Sequence, residues 1–171
     1  MKNSLLILFL VLSGQIIGQS VFVSTGSGTL WKTNPNTCAS TLVGTCPTFV
    51  DIAFLPNGNL YGQTWGAIYR VDTTTAVSTL LFTTASGNSM VGGPNGKLYA
   101  VSGSTLYEID IVANTRTTLG TVGCFSGGDL SFFNGQLYLA CSTNGLLRID
   151  ISVTPITSTL VGTMTITGAA W

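Results

Sequence analysis

The stretch "PNGNLYGQTWGAIYRVD" occupies residues 56–72. About 40 residues later the chain reads "PNGKLYAVSGSTLYEID" at 94–110, and after a similar interval "FNGQLYLACSTNGLLRID" at 133–150. The landmarks coincide. Leu60-Tyr61, Leu98-Tyr99 and Leu137-Tyr138 correspond, as do the segments that end at Asp72, Asp110 and Asp150. A shorter fourth copy is "LWKTN" at 30–34. Each copy runs into a Thr-rich segment: "STLVGT" at 40–45, "STLLFT" at 78–83, "TTLGTV" at 117–122 and "STLVGT" at 158–163. Short apolar runs open the units: "DIAF" from Asp51, "SMVG" from Ser89, "DLSF" from Asp129, and "GAAW" from Gly168.

Each unit therefore reads as four short strands, a to d. Asn57-Gly58, Asn95-Gly96 and Asn134-Gly135 separate a from b, and Asn-Gly is the strongest hairpin signal because both turn positions tolerate positive φ. Asp72, Asp110 and Asp150 end strand c, where the side chain bonds the backbone just ahead. A lone four-stranded sheet leaves both faces wet; units stacked around an axis cover one another. The expected fold is all-β, a β-propeller of about four four-stranded blades. The blade units span about 20–46, 51–84, 89–122 and 129–163, with a last strand at 168–171. The rivals are a sandwich and an open arc of the same units.

Phe22-Val23 is matched here to Leu60-Tyr61, so the pattern begins at strand b. It stops after a strand a, at Trp171. Two readings of the ends stand. A ring closes if "TGAAW" at 167–171 pairs beside "VFVST" at 21–25, or the chain is an open partial propeller cut from a larger one.

The first 19 residues read as a signal peptide: Lys2, the apolar run "LLILFLVL" at 5–12, then small and polar residues. That run is far short of the roughly 20 residues a bilayer span needs. No membrane span is expected after cleavage, and the mature protein is expected outside the cell or at its outer surface.

Charged residues make up only 7% of the 171-residue chain, and the net charge is zero. No nucleic-acid partner is expected, since binding one needs a basic patch that displaces counterions. There is no His, which removes the usual general base, the Ser-His-Asp arrangement and imidazole metal ligands. No phosphate loop or EF-hand pattern occurs, and neither a cofactor nor a metal is expected.

The repeat accounts for most charges. Asp72, Asp110 and Asp150 share a turn, Asp51 and Asp129 share the entry to strand a, and Lys32, Arg70, Glu108 and Arg148 share the middle of strand c. Only Lys97 and Arg116 fall outside, once Lys2 is assigned to the signal. In a four-blade ring Asp51 and Asp129 face each other across the axis, and paired carboxylates can do acid–base work or hold a hard cation.

Four Cys allow three pairings. Cys124 lies in a d-to-a connection and Cys141 at the end of a strand b, on one side of a propeller, so Cys124–Cys141 is the expected disulfide. An extended segment between Cys38 and Cys46 would hold them about 26 Å apart at about 3.3 Å per residue. A disulfide needs Cα atoms about 5.5 Å apart, so the pairing of these two stays open.

The d-to-a and b-to-c connections gather on one face. They carry Phe49, Trp65, Phe125 and Asn144, which differ from copy to copy. Residues that break a repeat are better binding candidates than residues that make it. Trp65 and Phe125 suit stacking on a sugar ring or anchoring a protein.

The phrases "TNPNTCASTLVGTC" at 33–46, "DIAFLPNGNLYG", "LYEIDIVANTRTTLGTVG" and "GGDLSFFNGQLYLA" resemble the repeat region of large secreted proteins of gliding bacteria, which carry a gliding-motility-associated C-terminal sorting domain. The resemblance covers residues 20–171 and implies export and a cell-surface fate. It brings no catalytic residue, and no sorting domain follows Trp171. The leading expectation is a non-catalytic secreted module for protein or glycan binding and adhesion, with Trp65, Phe125, Asn144, Asp51 and Asp129 as binding candidates. The alternatives are a propeller-type hydrolase or lactonase using Asp51 and Asp129, or a structural fragment of a larger surface protein.

Overall fold

A computed structural model describes residues 20–83 and 87–164. The signal segment 1–19 and the last strand 168–171 lie outside the described residues. The strands form four antiparallel sheets in chain order. The first holds β1 (Val21–Ser24), β2 (Thr29–Thr33) and β3 (Ser40–Thr45). The second holds β4 (Asp51–Phe54), β5 (Leu60–Gln63), β6 (Ala67–Val71) and β7 (Ser78–Thr83). The third holds β8 (Ser89–Gly92), β9 (Leu98–Ser102), β10 (Thr105–Asp110) and β11 (Thr115–Thr121). The fourth holds β12 (Ser126–Phe133), β13 (Gln136–Cys141), β14 (Gly145–Asp150) and β15 (Thr157–Thr163). Each sheet is a meander in which sequence neighbours pair, and the inner strands β4, β8 and β12 pack side by side. These are the blades of a β-propeller, as the repeat predicts.

Strand alternation builds the joints between blades. One face of each blade meets the blade before it, and the other meets the blade after. Phe22 and Leu30 of the first blade pack against Ile52, Leu60, Tyr69 and Val71 of the second. Tyr61 and Ile68 of the second meet Met90, Leu98, Ala100 and Ile109 of the third. Tyr99, Val101 and Leu106 of the third meet Leu130, Leu137, Leu139 and Ile149 of the fourth. Leu30, Ile68 and Leu106 hold one repeated position of strand c and are each 0% exposed. Burying each side chain is worth about 1.5–3 kcal/mol, so the stacking of blades is the main source of stability.

Pairing corrects the alignment of the first unit. Val21 stands opposite Thr33 as Leu60 stands opposite Val71. Phe22 therefore corresponds to Tyr61, not to Leu60, and each faces the blade that follows its own. A slip of one residue exchanges the two faces of a strand, and a short copy with no strand a ahead of it left that register unmarked.

The Asn-Gly turns also divide in a way the dipeptide alone does not show. In the fourth blade Asn134 and Gly135 both take positive φ, 48° and 75°, and Phe133 pairs directly with Gln136. This is the expected two-residue turn. In the second and third blades only Gly58 and Gly96 are positive, at 81° and 79°. There Pro56 and Pro94 fix a negative φ at the first turn position, and the Gly58 N–H bonds the Leu55 carbonyl at 2.9 Å. The proline lengthens the turn, and the glycine follows it.

The c-to-d turns are as expected. Asp72 Oδ1 accepts the N–H groups of Thr74 and Thr75 at 2.8 and 3.0 Å, and Asp110 Oδ1 those of Val112 and Ala113 at 3.0 and 2.8 Å. Asp150 and Asn34 repeat the motif with Ser152 and Asn36. Cys38, Ala76 and Asn114 share the left-handed position that closes this turn, with φ of 56°, 61° and 55°.

The two charges outside the repeat have local partners. Lys97 Nζ pairs with Glu108 Oε1 at 2.6 Å, and the Tyr99 hydroxyl donates to Glu108 Oε2 at 2.8 Å. Arg116 lies 4.5 Å from the centre of the Tyr107 ring.

Candidate functional site

The turns between strands b and c and the connections from d to a lie at one end of the propeller. Trp65 and Phe125 stand there in the open, 64% and 67% exposed. Trp65 tips the turn between β5 and β6. Its neighbour Thr64 closes that turn twice onto the Ala67 carbonyl, from N–H at 2.9 Å and from Oγ1 at 3.3 Å.

Phe125 sits on a short loop pinned at both ends. Cys124 before it is disulfide-bonded to Cys141, the expected pair, with Cα atoms 5.8 Å apart. Ser126 after it donates its N–H to the Gly103 carbonyl at 2.8 Å, and the Phe125 carbonyl accepts the Ser142 N–H at 2.9 Å. The ring lies beside Gly103, in the b-to-c turn of the third blade. An aromatic ring fixed in this way loses little freedom on meeting a ligand.

Phe49 is a correction. It is 6% exposed, not a loop aromatic facing water. Its ring lies over Gly62, where the missing side chain makes room, and 5.9 Å from the Tyr69 ring. The matching strand-b position holds a glycine only in that blade, which was the available signal. Asn144 holds a left-handed turn, φ 63°. Its N–H donates to the Cys141 carbonyl at 3.1 Å, and its carbonyl accepts the Met164 N–H at 2.6 Å.

Asp51 begins the inner strand of the second blade and Asp129 lies within the inner strand of the fourth, at this same end. Asp51 is held firmly: Oδ1 accepts the Ile52 N–H at 2.7 Å and Oδ2 the Met90 N–H of the next blade at 2.6 Å. Burial nonetheless pushes its carboxyl up to about 7, against those two donors and with help from the charge of Asp129. Burial raises Asp129 as well, partly offset by the Leu130 N–H at 2.8 Å. The charge of Asp129 is thus the smallest of the influences on Asp51, behind burial and the two backbone donors. Among the described residues no group of three or more His, Cys, Asp or Glu is placed to hold a metal ion.

Cys38 is exposed and Cys46 half-buried, and neither is bonded. They flank β3, whose six extended residues keep them apart. No helix among the described residues is long and apolar enough to cross a membrane.

No known family of sequences and no curated protein matches the chain. Solved structures do. An auxiliary nutrient binding protein from Bacteroides thetaiotaomicron VPI-5482 superposes on 88% of this chain with a TM-score of 0.68 at 16% identity. YCF48 bound to a D1 peptide superposes on 81% with a TM-score of 0.56 at 14% identity. A puromycin hydrolase mutant complexed with PGG superposes on 78% with a TM-score of 0.50 at 16% identity. The chain spans 40%, 49% and 24% of those three chains, less than half of each. At such identities the likeness is one of fold, and the class it defines is the β-propeller.

Proposed function

We propose that this chain is a non-catalytic, secreted binding module that holds a protein or glycan at the bacterial cell surface. The observation that carries this reading is the pinned, exposed Phe125 at the same end of the propeller as the exposed Trp65. Neither ring is needed to pack a blade, and both present a flat apolar surface suited to a sugar face or a peptide side chain. The neighbours described as a nutrient binding protein and as bound to a peptide agree with a binding role. The disulfide fits an oxidising compartment. The resemblance to surface proteins of gliding bacteria adds adhesion as the use to which such binding is put, with Asn144, Asp51 and Asp129 supplying polar contacts. The test is a glycan and peptide array probed with the purified protein, with and without calcium. Selective retention of one ligand class supports the reading, and a blank array across both classes counts against it.

The raised Asp51 carboxyl favours a second reading, a hydrolase with Asp51 and Asp129 as its acid–base pair. Both Asp51 oxygens already accept backbone donors, which speaks for a joint between blades instead. Turnover of ester, lactone or glycoside substrates that Asp51→Asn with Asp129→Asn abolishes would establish the enzyme.

A further inference from the structure

Among the described residues two blade faces are uncovered. The first is the face of the fourth blade that, in the other three, is buried by the blade that follows. Leu30, Ile68 and Leu106 are fully buried there, while Leu146, their counterpart, is half-exposed. Asp129, Ser131, Phe133, Tyr138, Leu146 and Met164 line a cleft of about 510 Å3 on this face. Phe133 is 65% exposed, and its ring stands edge-on to Tyr138 at 6.5 Å.

The second open face is on the first blade, where a preceding blade would lie. Val21 and Val23 are 47% and 44% exposed and Leu42 50%. Val23 stands opposite Trp31, and Trp31 opposite Leu42, so these side chains share one side of the sheet. The counterpart of Val21 is Leu60, only 1% exposed.

We propose that the open face of the fourth blade docks the first blade of a second copy of this chain. The molecule already makes this joint three times, always with one kind of face against the other. The first blade carries the missing kind. Among the described residues both faces are open in one molecule, so no described strand of the first blade covers the fourth. Asp129 adds a polar element. Its counterpart Asp51 accepts a backbone N–H across the joint, whereas Asp129 accepts only its neighbour's among the described residues. It lines the cleft, so a docked blade meets a carboxylate whose second oxygen is still open to a donor. Unlike faces meet, so the contact is head-to-tail, and two copies complete a ring through two such joints.

The experiment is sedimentation velocity across a concentration series. The wild-type chain is expected to reach twice the mass of one chain. Phe133→Glu and Val23→Glu each place a charge on one face at an exposed position, and each alone is expected to sediment as a single chain that still unfolds in one cooperative transition. Mixed in equal amounts, the two variants are expected to associate again, because each supplies the face the other lacks. A wild-type chain that stays single at its highest soluble concentration overturns the proposal. So does a mixture that fails to associate.

Discussion

Asp51 joins the second blade to the third: its Oδ2 accepts the Met90 N–H at 2.6 Å while its Oδ1 accepts the N–H of its own neighbour Ile52. Burial places its carboxyl at about 7 against an ordinary 3.8, so the fold binds this proton more tightly than the unfolded chain does. Stability contributed by that proton is whole below about 4, falls as pH rises and is gone above about 7. Denaturant melts from pH 4 to 8 are expected to show this decline, on the order of a few kcal/mol. Asp51→Asn is expected to flatten the slope, leaving a smaller one from Asp129, and to cost about 1–3 kcal/mol at acid pH through the lost acceptor. Stability that rises across this window, or an equal slope in the variant, contradicts the assignment.

Cys124 and Cys141 are 17 residues apart in sequence. Cross-linking a loop of about that length removes roughly 3 kcal/mol of freedom from the unfolded chain. Replacing both by Ala is expected to lower unfolding free energy by about that amount, read by denaturant titration with the wild type as reference. The bond also fixes Phe125, so binding by that ring is expected to weaken in the variant.

Much of the fold was legible because the blade is written several times. Landmarks such as Leu98-Tyr99 and Asp110 recur where a strand must start or a turn must close, and one repeated physical demand leaves one repeated residue. The disulfide followed from the same frame, which put Cys124 and Cys141 at one end of a blade. The first copy was harder. With no strand a before it, Val21 and Phe22 offered two registers, and only pairing with Thr33 chose between them. Phe49 shows a second limit. Its burial depends on Gly62 in the strand it covers, a contact that repeat position does not encode. Which loop residues meet a ligand has no periodic signature at all, so Trp65 and Phe125 stood out only as departures from the pattern.

Gly62 and Phe49 fit by omission. A Cβ on Gly62 would lie 2.6 Å from the Phe49 ring. Gly62→Ala is expected to destabilise by about 1–3 kcal/mol, the usual cost of overpacking a core. Adding Phe49→Leu makes room for the methyl, so the double variant is expected to lose less than the two single losses combined. Simple additivity in thermal melts would show that the two sites are not coupled.

Gln63 is 1% exposed, and neither atom of its amide has a partner among the described residues. Burying such a group without hydrogen bonds works against the fold. Gln63→Met keeps the length of the side chain and removes the polar atoms. It is expected to be neutral or stabilising by up to about 1 kcal/mol in chemical denaturation. A clear loss of stability would show that the amide is satisfied after all.

Binding by rings that the scaffold does not need is the centre of this account, and Trp65→Ala with Phe125→Ala tests it most directly. The measurement is calorimetric titration of the variant with the best array ligand, beside a thermal melt. Affinity is expected to fall at least tenfold while stability stays within about 0.5 kcal/mol, as for exposed substitutions generally. Unchanged affinity in a well-folded variant would contradict the account.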